Sequence, residues 1–332
     1  MKRLENIKQK KVLEVGIIGA GAITTTLHLP LLTAIPDIKP KYIADIKNPS
    51  ELARIYKIAS FDVKNVKELP DCDIVLIATP VGVREEYIKE FSNRKIPIFT
   101  EKPFATNFDE HTKFLNYSNS IACNYMKIWY NSSKNFKKII SSNTFGKLKK
   151  ISIKEGGIIG KTNRGSDTYQ SDKKLSGGGV IMESACHTLS VLVDIFENIS
   201  VKKSEIVWEK ELDVQAKVEF LVKKDSDDIT MKYLITLIQP IETLTTLFYE
   251  NCFITFDHSN PDPEFKIHNY DDTKTFEIKN EEKFASSSQQ AYFLTWKNFI
   301  DQIKNDVELN SQKLTSLKTT ELISKIYELG DK

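Results

Sequence analysis

Residues 12–27 read VLEVGIIGAGAITTTL. An apolar run, Val12 to Ile18, broken by Glu14 and Gly16, enters a glycine pair at Gly19 and Gly21 and leaves through Ala22 and Ile23 into a helical-looking segment. That order is strand, tight turn, helix. Glycines suit such a turn because it needs unusual backbone angles, and because a pyrophosphate bound at a helix N-terminus must touch main-chain N–H groups. Gly19, Gly21, Ala22 and Ile23 are therefore candidate cofactor contacts, and a side chain at position 21 would block the approach. Thr24 stands where the third glycine of G-x-G-x-x-G is usual. That glycine serves helix–strand packing more than phosphate contact, so dinucleotide binding stays the expectation, with a ligand-free βα turn as the alternative.

A chain of 332 residues is longer than one hydrophobic core usually supports, so two domains are expected. With 40% hydrophobic and 28% charged residues the composition is that of a globular protein, and a net charge of +2 spread along the chain gives no case for a nucleic-acid or membrane-surface partner. The lysines from Lys2 to Lys11 read as a solvated terminal arm. Arm and apolar run have the order of a signal peptide, but Glu14 interrupts the run, no small-residue cleavage site follows, and cleavage would delete the glycine turn. No stretch reaches the uninterrupted apolar length that spans a bilayer. Cys72, Cys123, Cys186 and Cys252 are far apart and match neither metal-ligand spacing nor a disulfide framework, so reduced thiols, no metal and a cytoplasmic location are expected.

Beyond the first helix, Ile38 to Ala44 reads as a second strand ending at Asp45, roughly twenty residues past Gly21. An acid there accepts hydrogen bonds from the adenosine ribose hydroxyls and repels a 2′-phosphate, which favours NAD; Lys47 leaves NADP open, and a plain polar strand end is the alternative. Asp73 to Ala78, DIVLIA, is the clearest buried parallel strand, and it runs into Thr79 and Pro80 at the carboxyl edge, where cofactors bind in open α/β sheets. A helix from Arg84 to Asn93 leads to a strand from Ile96 to Thr100, which ends in Glu101, Lys102 and Pro103.

The ordered set Gly19-x-Gly21, His28-x-Pro30, Asp45, Ala78-Thr79-Pro80 and Glu101-Lys102-Pro103 resembles the N-terminal half of the Gfo/Idh/MocA family, the glucose–fructose oxidoreductase and inositol dehydrogenase group. The resemblance implies that Lys102 contacts substrate and assists proton transfer, with Glu101 and Pro103 fixing the turn and the peptide before the proline often cis. Family members often carry Asn and His shortly after the Thr-Pro, whereas here Val81-Gly82-Val83-Arg84 follows.

A helix from Asn107 to Ser118 and a strand near Ile121 to Tyr125 carry the chain across, which puts the domains at 1–123 and 124–332. From Lys147 the character changes: Lys149 to Lys154, Ala216 to Lys223, Ile229 to Ile238, Thr243 to Tyr249 and Cys252 to Asp257 have the content of antiparallel strands. The expected fold class is α/β plus α+β, a Rossmann dinucleotide-binding domain followed by a domain built on a large open, mainly antiparallel β-sheet. Such a sheet needs cover on one face. In the resembling family the other face makes homodimers or homotetramers.

The polar stretch from Gly160 to Ser176 reads as a binding loop or a solvated one, which makes Arg164, Asp167 and Tyr169 candidate substrate contacts. It meets Gly177-Gly178-Gly179 and a helix, VIMESACHTLSVLVDIF, that is apolar almost all round and so expected to be buried. Its polar exceptions, Glu183 and His187, stand four residues apart on one face. A buried Glu–His pair can handle a proton, the carboxylate orienting the imidazole, although such pairs also serve as plain core hydrogen bonds. The resembling family has Gly-Gly-Gly, three residues, Asp, one residue, Gly, one residue, His; here Glu183 and Ala185 replace the first two and His187 is retained. Ser190 stands where a further Asp is common. At the tail, Phe293, Trp296, Ile300 and Ile303, then Leu322, Ile323 and Ile326, repeat at helical spacing and read as core cover.

The resemblance implies an NAD(P)-dependent oxidoreductase that moves hydride between a nicotinamide and a secondary alcohol or ketone of a sugar, nucleotide-linked sugar or cyclitol. Lys102 and His187 would handle the hydroxyl proton, with Glu183 as partner. The alternatives are an NAD-dependent glycosidase with retained cofactor, and a non-catalytic dinucleotide sensor.

Overall fold

A computed structural model describes residues 11–118, 120–157, 168–269, 273–276, 278, 284–305 and 310–330. The basic arm ahead of Lys11 lies outside the described residues, as do Arg164 and Asp167. The chain forms two compact units: one holds the chain up to Tyr125 together with Tyr292–Leu317, the other Met126–Ala291 together with the chain from Lys318 on.

In the first unit six strands, β1 (Leu13–Ile18), β2 (Ile38–Asp45), β3 (Ala59–Asp62), β4 (Ile74–Ile77), β5 (Ile98–Thr100) and β6 (Ile121–Cys123), form a sheet in the order β3-β2-β1-β4-β5-β6. Every pair is parallel. That is the Rossmann order, expected for the α/β half. Strands buried on both faces read as continuous apolar runs, and β4, IVLI, is buried throughout. The short edge strand β3 escapes sequence reading because ASFD is polar and half exposed.

The Ser288–Asn305 helix returns to this unit because its apolar stripe belongs to this core. Trp296, Phe299, Ile300 and Ile303 are buried with Ile17, Leu76 and Phe99, the Trp296 and Phe99 ring centroids lying 4.3 Å apart. Burying an indole removes roughly 200 Å² from water, worth up to about 5 kcal/mol. Phe293 does not share in this: it is 39% exposed, and Tyr292 takes the inner position.

In the second unit eight strands follow the order β14-β13-β12-β11-β7-β10-β9-β8. They are β7 (Leu148–Gly156), β8 (Ile199–Glu209), β9 (Leu212–Lys224), β10 (Asp227–Thr236), β11 (Leu244–Tyr249), β12 (Phe253–Phe256), β13 (Phe265–His268) and β14 (Thr273–Phe276). Two meanders, β8-β9-β10 and β11-β12-β13-β14, flank β7, which therefore pairs parallel with β10 and antiparallel with β11. The sheet is thus mainly antiparallel, as expected. β8 escapes sequence reading because it is a lysine-bearing edge strand, exposed along most of its length.

Alternate residues of β9 and β10, among them Ala216, Val218, Phe220, Met231 and Tyr233, face a covered core, while Lys217 and Lys232 point outward. Within Lys173–Ile195 an 18-residue window has the mean hydropathy, 1.2, of a membrane span, but 72% of that window is buried in the protein, the pattern of a core helix. Beneath the Cys186–Ile195 helix, Glu155 accepts from Thr188 Oγ1 at 3.0 Å and from the Tyr233 hydroxyl, and its second oxygen lies 3.5 Å from His258 Nε2. Burial alone would raise its pKa, but the hydrogen bond and charge of His258, the charge of Lys127 and the Tyr233 hydroxyl bring it down to about 2. A carboxyl lowered on folding adds stability above its unfolded pKa and loses that contribution as pH falls toward the folded value. Stability is expected to drop between pH 4.5 and about pH 2, and to drop less in Glu155→Gln; denaturation midpoints across that window check it.

Candidate functional site

Four strands of the first unit deliver their candidate residues to one edge of the sheet. Gly19 follows β1, Asp45 ends β2, Thr79 follows β4, and Glu101 follows β5. Backbone bonds between neighbouring strand ends hold them level: Gly19 N donates to Ala44 O at 2.8 Å, Ala78 N to Ile18 O at 2.8 Å and Glu101 N to Ile77 O at 3.0 Å. The strand order reverses between β1 and β4, the switch point at which open α/β sheets take ligands.

Gly19 has φ +102°, and a Cβ there would meet the Ala78 carbonyl, so the turn itself requires glycine. Gly21 is different: it is exposed, its φ is not positive, and a Cβ would meet nothing within 4 Å. No packing among the described residues explains glycine at position 21, which opens the first helical N–H groups to approach from outside. Ala22 beside it is exposed and Ile23 half-buried. Thr24 is buried, and its hydroxyl donates to Gly19 O at 2.8 Å, so the residue in the third-glycine position closes the turn instead of opening it.

Asp45 Oδ2 accepts from Ala20 N at 2.6 Å, which ties the end of β2 to the glycine turn. Thr79 and Pro80 lie on the same edge, and the buried Thr79 Oγ1 has no hydrogen-bond partner among the described residues. The residues fit a dinucleotide: a glycine turn at a helix start, flanked by an acid at the end of β2 and by a buried hydroxyl after β4 that has no partner among the described residues.

Sequence reasoning saw Arg84 only as a departure from the family pattern. The structure buries it, 2% exposed, and its guanidinium donates to Thr79 O at 3.1 and 2.9 Å and to the carbonyls of Glu101 and Pro103. It fastens the loop after β4 to the turn after β5. An arginine just after Thr-Pro is the sole signal the sequence carries for it.

Lys102 is half-buried and the Lys102–Pro103 peptide is cis. Beneath it Glu101 is 4% exposed; it accepts from Asn124 Nδ2 at 2.7 Å and from Lys102 N at 3.1 Å, and meets His28 Nε2 at 2.8 Å. Burial raises the Glu101 pKa, but the His28 hydrogen bond, the Asn124 amide and the Lys102 charge together hold it below the ordinary range.

In the second unit Glu183 lies in a π-helical turn, Ile181–Ala185, that leads into the Cys186–Ile195 helix bearing His187. The helix is buried, but Glu183, Ser184 and His187 are half-buried, so the expected fully buried pair is instead a polar strip at the helix surface. Glu183 Oε1 accepts from Gln170 Nε2 at 3.0 Å. Tyr169 is exposed. Ser190 is fully buried and donates to His187 O at 2.7 Å, which braces the helix.

Sequence reasoning missed what holds this helix. Asp213 of β9 is wholly buried and accepts from Gly179 N at 2.5 Å, Ile181 N at 2.7 Å and the Tyr327 hydroxyl at 2.7 Å. A Cβ at position 179 would collide with the Asp213 backbone, so that glycine permits the contact. The available signal is a charged residue at the head of an apolar alternation, Asp213-Val214 before Ala216 and Val218.

The strand order and the open glycine turn at its switch point define a dinucleotide-binding α/β protein. The model of the oxidoreductase family with an NAD-binding Rossmann fold (Gfo/Idh/MocA) matches residues 13–126. "Uncharacterized oxidoreductase YrbE" of Bacillus subtilis is 28% identical over 186 residues, 53% of this chain, and the match spans 52% of that relative's length. Solved structures of the same fold include a variant of KijD10, a 3-ketoreductase from Actinomadura kijaniata, in complex with TDP-benzene and NADP (12% identity, TM-score 0.82, 96% of this chain and 97% of that one). An aldose-aldose oxidoreductase from Caulobacter crescentus complexed with glycerol matches at 15% identity with TM-score 0.79, over 96% of this chain and 97% of its own. An Agrobacterium radiobacter oxidoreductase with NAD+, L-tartaric acid and magnesium matches at 14% identity with TM-score 0.75, over 96% of each chain. At these identities the likeness is one of fold.

Proposed function

We infer that the protein is an NAD(P)-dependent oxidoreductase acting on a secondary alcohol or ketone of a sugar, nucleotide-linked sugar or cyclitol, with Lys102 and His187 handling the proton. The observation that carries the reading is Gly21, a glycine required neither by backbone conformation nor by packing, at the open end of the switch-point turn. The names of two structural neighbours, a 3-ketoreductase and an aldose-aldose oxidoreductase, support a carbonyl or sugar substrate. When bound, the nicotinamide supplies or takes the hydride. The protein residues do the rest. The turn amides hold the pyrophosphate, and Asp45 takes the adenosine ribose and favours NAD over NADP. Oxidation needs a base on the hydroxyl and reduction an acid on the carbonyl oxygen, since otherwise a protonated ketone or a bare alkoxide would form. Lys102 and His187 serve that oxygen, and Glu183 orients the imidazole.

Gly21→Val is expected to abolish dinucleotide binding while leaving the melting temperature unchanged. Isothermal titration with NAD and NADP, beside a thermal melt, checks it; retained affinity would remove the turn from the site. The homodimer or homotetramer expected through the outer face of the second sheet, which bears Lys203, Glu205, Lys217 and Lys232, is checked by sedimentation in low and high salt.

A further inference from the structure

We propose that Trp296, His28 and Glu101 form a hydrogen-bond relay of fixed direction that positions Lys102. Trp296 Nε1 lies 3.1 Å from His28 Nδ1, and His28 Nε2 lies 2.8 Å from Glu101 Oε1. An indole N–H can only donate. Nδ1 is therefore the acceptor, and the proton of the neutral ring sits on Nε2, from which it is donated to Glu101. The carboxylate then has three donors: His28 and Asn124 on one oxygen and the Lys102 backbone N–H on the other. This last bond fixes the main chain from which the Lys102 side chain projects.

His28 and Trp296 are fully buried. The ring of His28 is packed edge-on by Phe99, Tyr292 and Trp296, with centroids at 6.4, 5.3 and 6.1 Å. Among its contacts are the titratable groups of Glu101 and Tyr292. Burial makes the direction matter: a ring protonated on Nδ1 would set two donors against each other and leave Glu101 facing a bare nitrogen, at the cost of an unmade buried hydrogen bond. Trp296 reads in the sequence as core cover, and it is; its N–H adds a tautomer lock for a turn far along the chain.

The proposal rests on the reading that Lys102 handles the proton, and two kinds of measurement separate the two claims. Nitrogen-15 spectra of the neutral His28 ring are expected to show the proton on Nε2 in wild type and a mixture of tautomers in Trp296→Phe. A proton on Nδ1 in wild type, or an unchanged spectrum in the variant, overturns the relay whatever the activity. In turnover, His28→Gln, whose amide can accept from Trp296 and donate to Glu101, is expected to keep kcat within about threefold, and His28→Leu to lose at least about tenfold with dinucleotide KM unmoved. Equal kcat in the two variants overturns the relay. Wild-type kcat in Lys102→Ala overturns the reading of Lys102, and the spectra still decide the tautomer.

Discussion

Replacing His187 by alanine is expected to lower kcat by about two to four orders of magnitude, the usual contribution of a positioned acid or base. Dinucleotide affinity is expected to stay as it was, because the glycine turn, Asp45 and Thr79 all belong to the first unit while His187 is on a helix of the second. Lys102→Ala is expected to fall in the same range. Steady-state kinetics with dinucleotide titrations check both; unchanged turnover in His187→Ala would take that residue out of the mechanism.

Asp213→Ala is expected to have the largest effect on stability. Its carboxylate is the common acceptor for two backbone N–H groups at the start of the helical segment and for Tyr327. Removing it leaves three buried donors without their acceptor, at about 1–3 kcal/mol each before the site relaxes, so a loss of about 3–5 kcal/mol is expected. The Tyr327 hydroxyl is held well above its ordinary pKa by burial first and the Asp213 charge second, so it remains a donor. Tyr327→Phe removes one bond of the three and should cost about 1 kcal/mol. Because this anchor holds the segment carrying Glu183 and His187, turnover is expected to fall with stability. Denaturant unfolding of the two variants checks the order; a wild-type midpoint in Asp213→Ala would show that the glycine turn is held by other contacts.

The first unit was legible because each parallel strand delivers its chemistry at its own carboxyl end, so that Gly19, Asp45, Thr79 and Glu101 could each be read beside the strand that places them. Local periodicity likewise revealed the long helices and most strands of the second sheet. What stayed illegible was set by contacts between distant residues. The Trp296–His28 bond joins positions 268 apart and the Asp213–Gly179 bond positions 34 apart. No spacing rule connects them. Arg84 went unread for a related reason: its role is to satisfy carbonyls of two loops, and carbonyl geometry leaves no mark on residue type. Glu183 and His187 were read as a pair on a helix buried all round, whereas both are half-buried, because composition alone does not reveal a polar strip open on one side.

The central claim is hydride exchange between a dinucleotide held at the glycine turn and a sugar-type alcohol or ketone. Its most direct test is the absorbance of reduced nicotinamide after mixing the purified protein with NAD or NADP, in either redox state, and cyclitols, free hexoses or nucleotide-linked sugars in turn. Turnover with one of these classes, faster with NAD than with NADP if Asp45 takes the adenosine ribose, is the predicted result. No change in absorbance with any class, from protein that binds the dinucleotide, would contradict it.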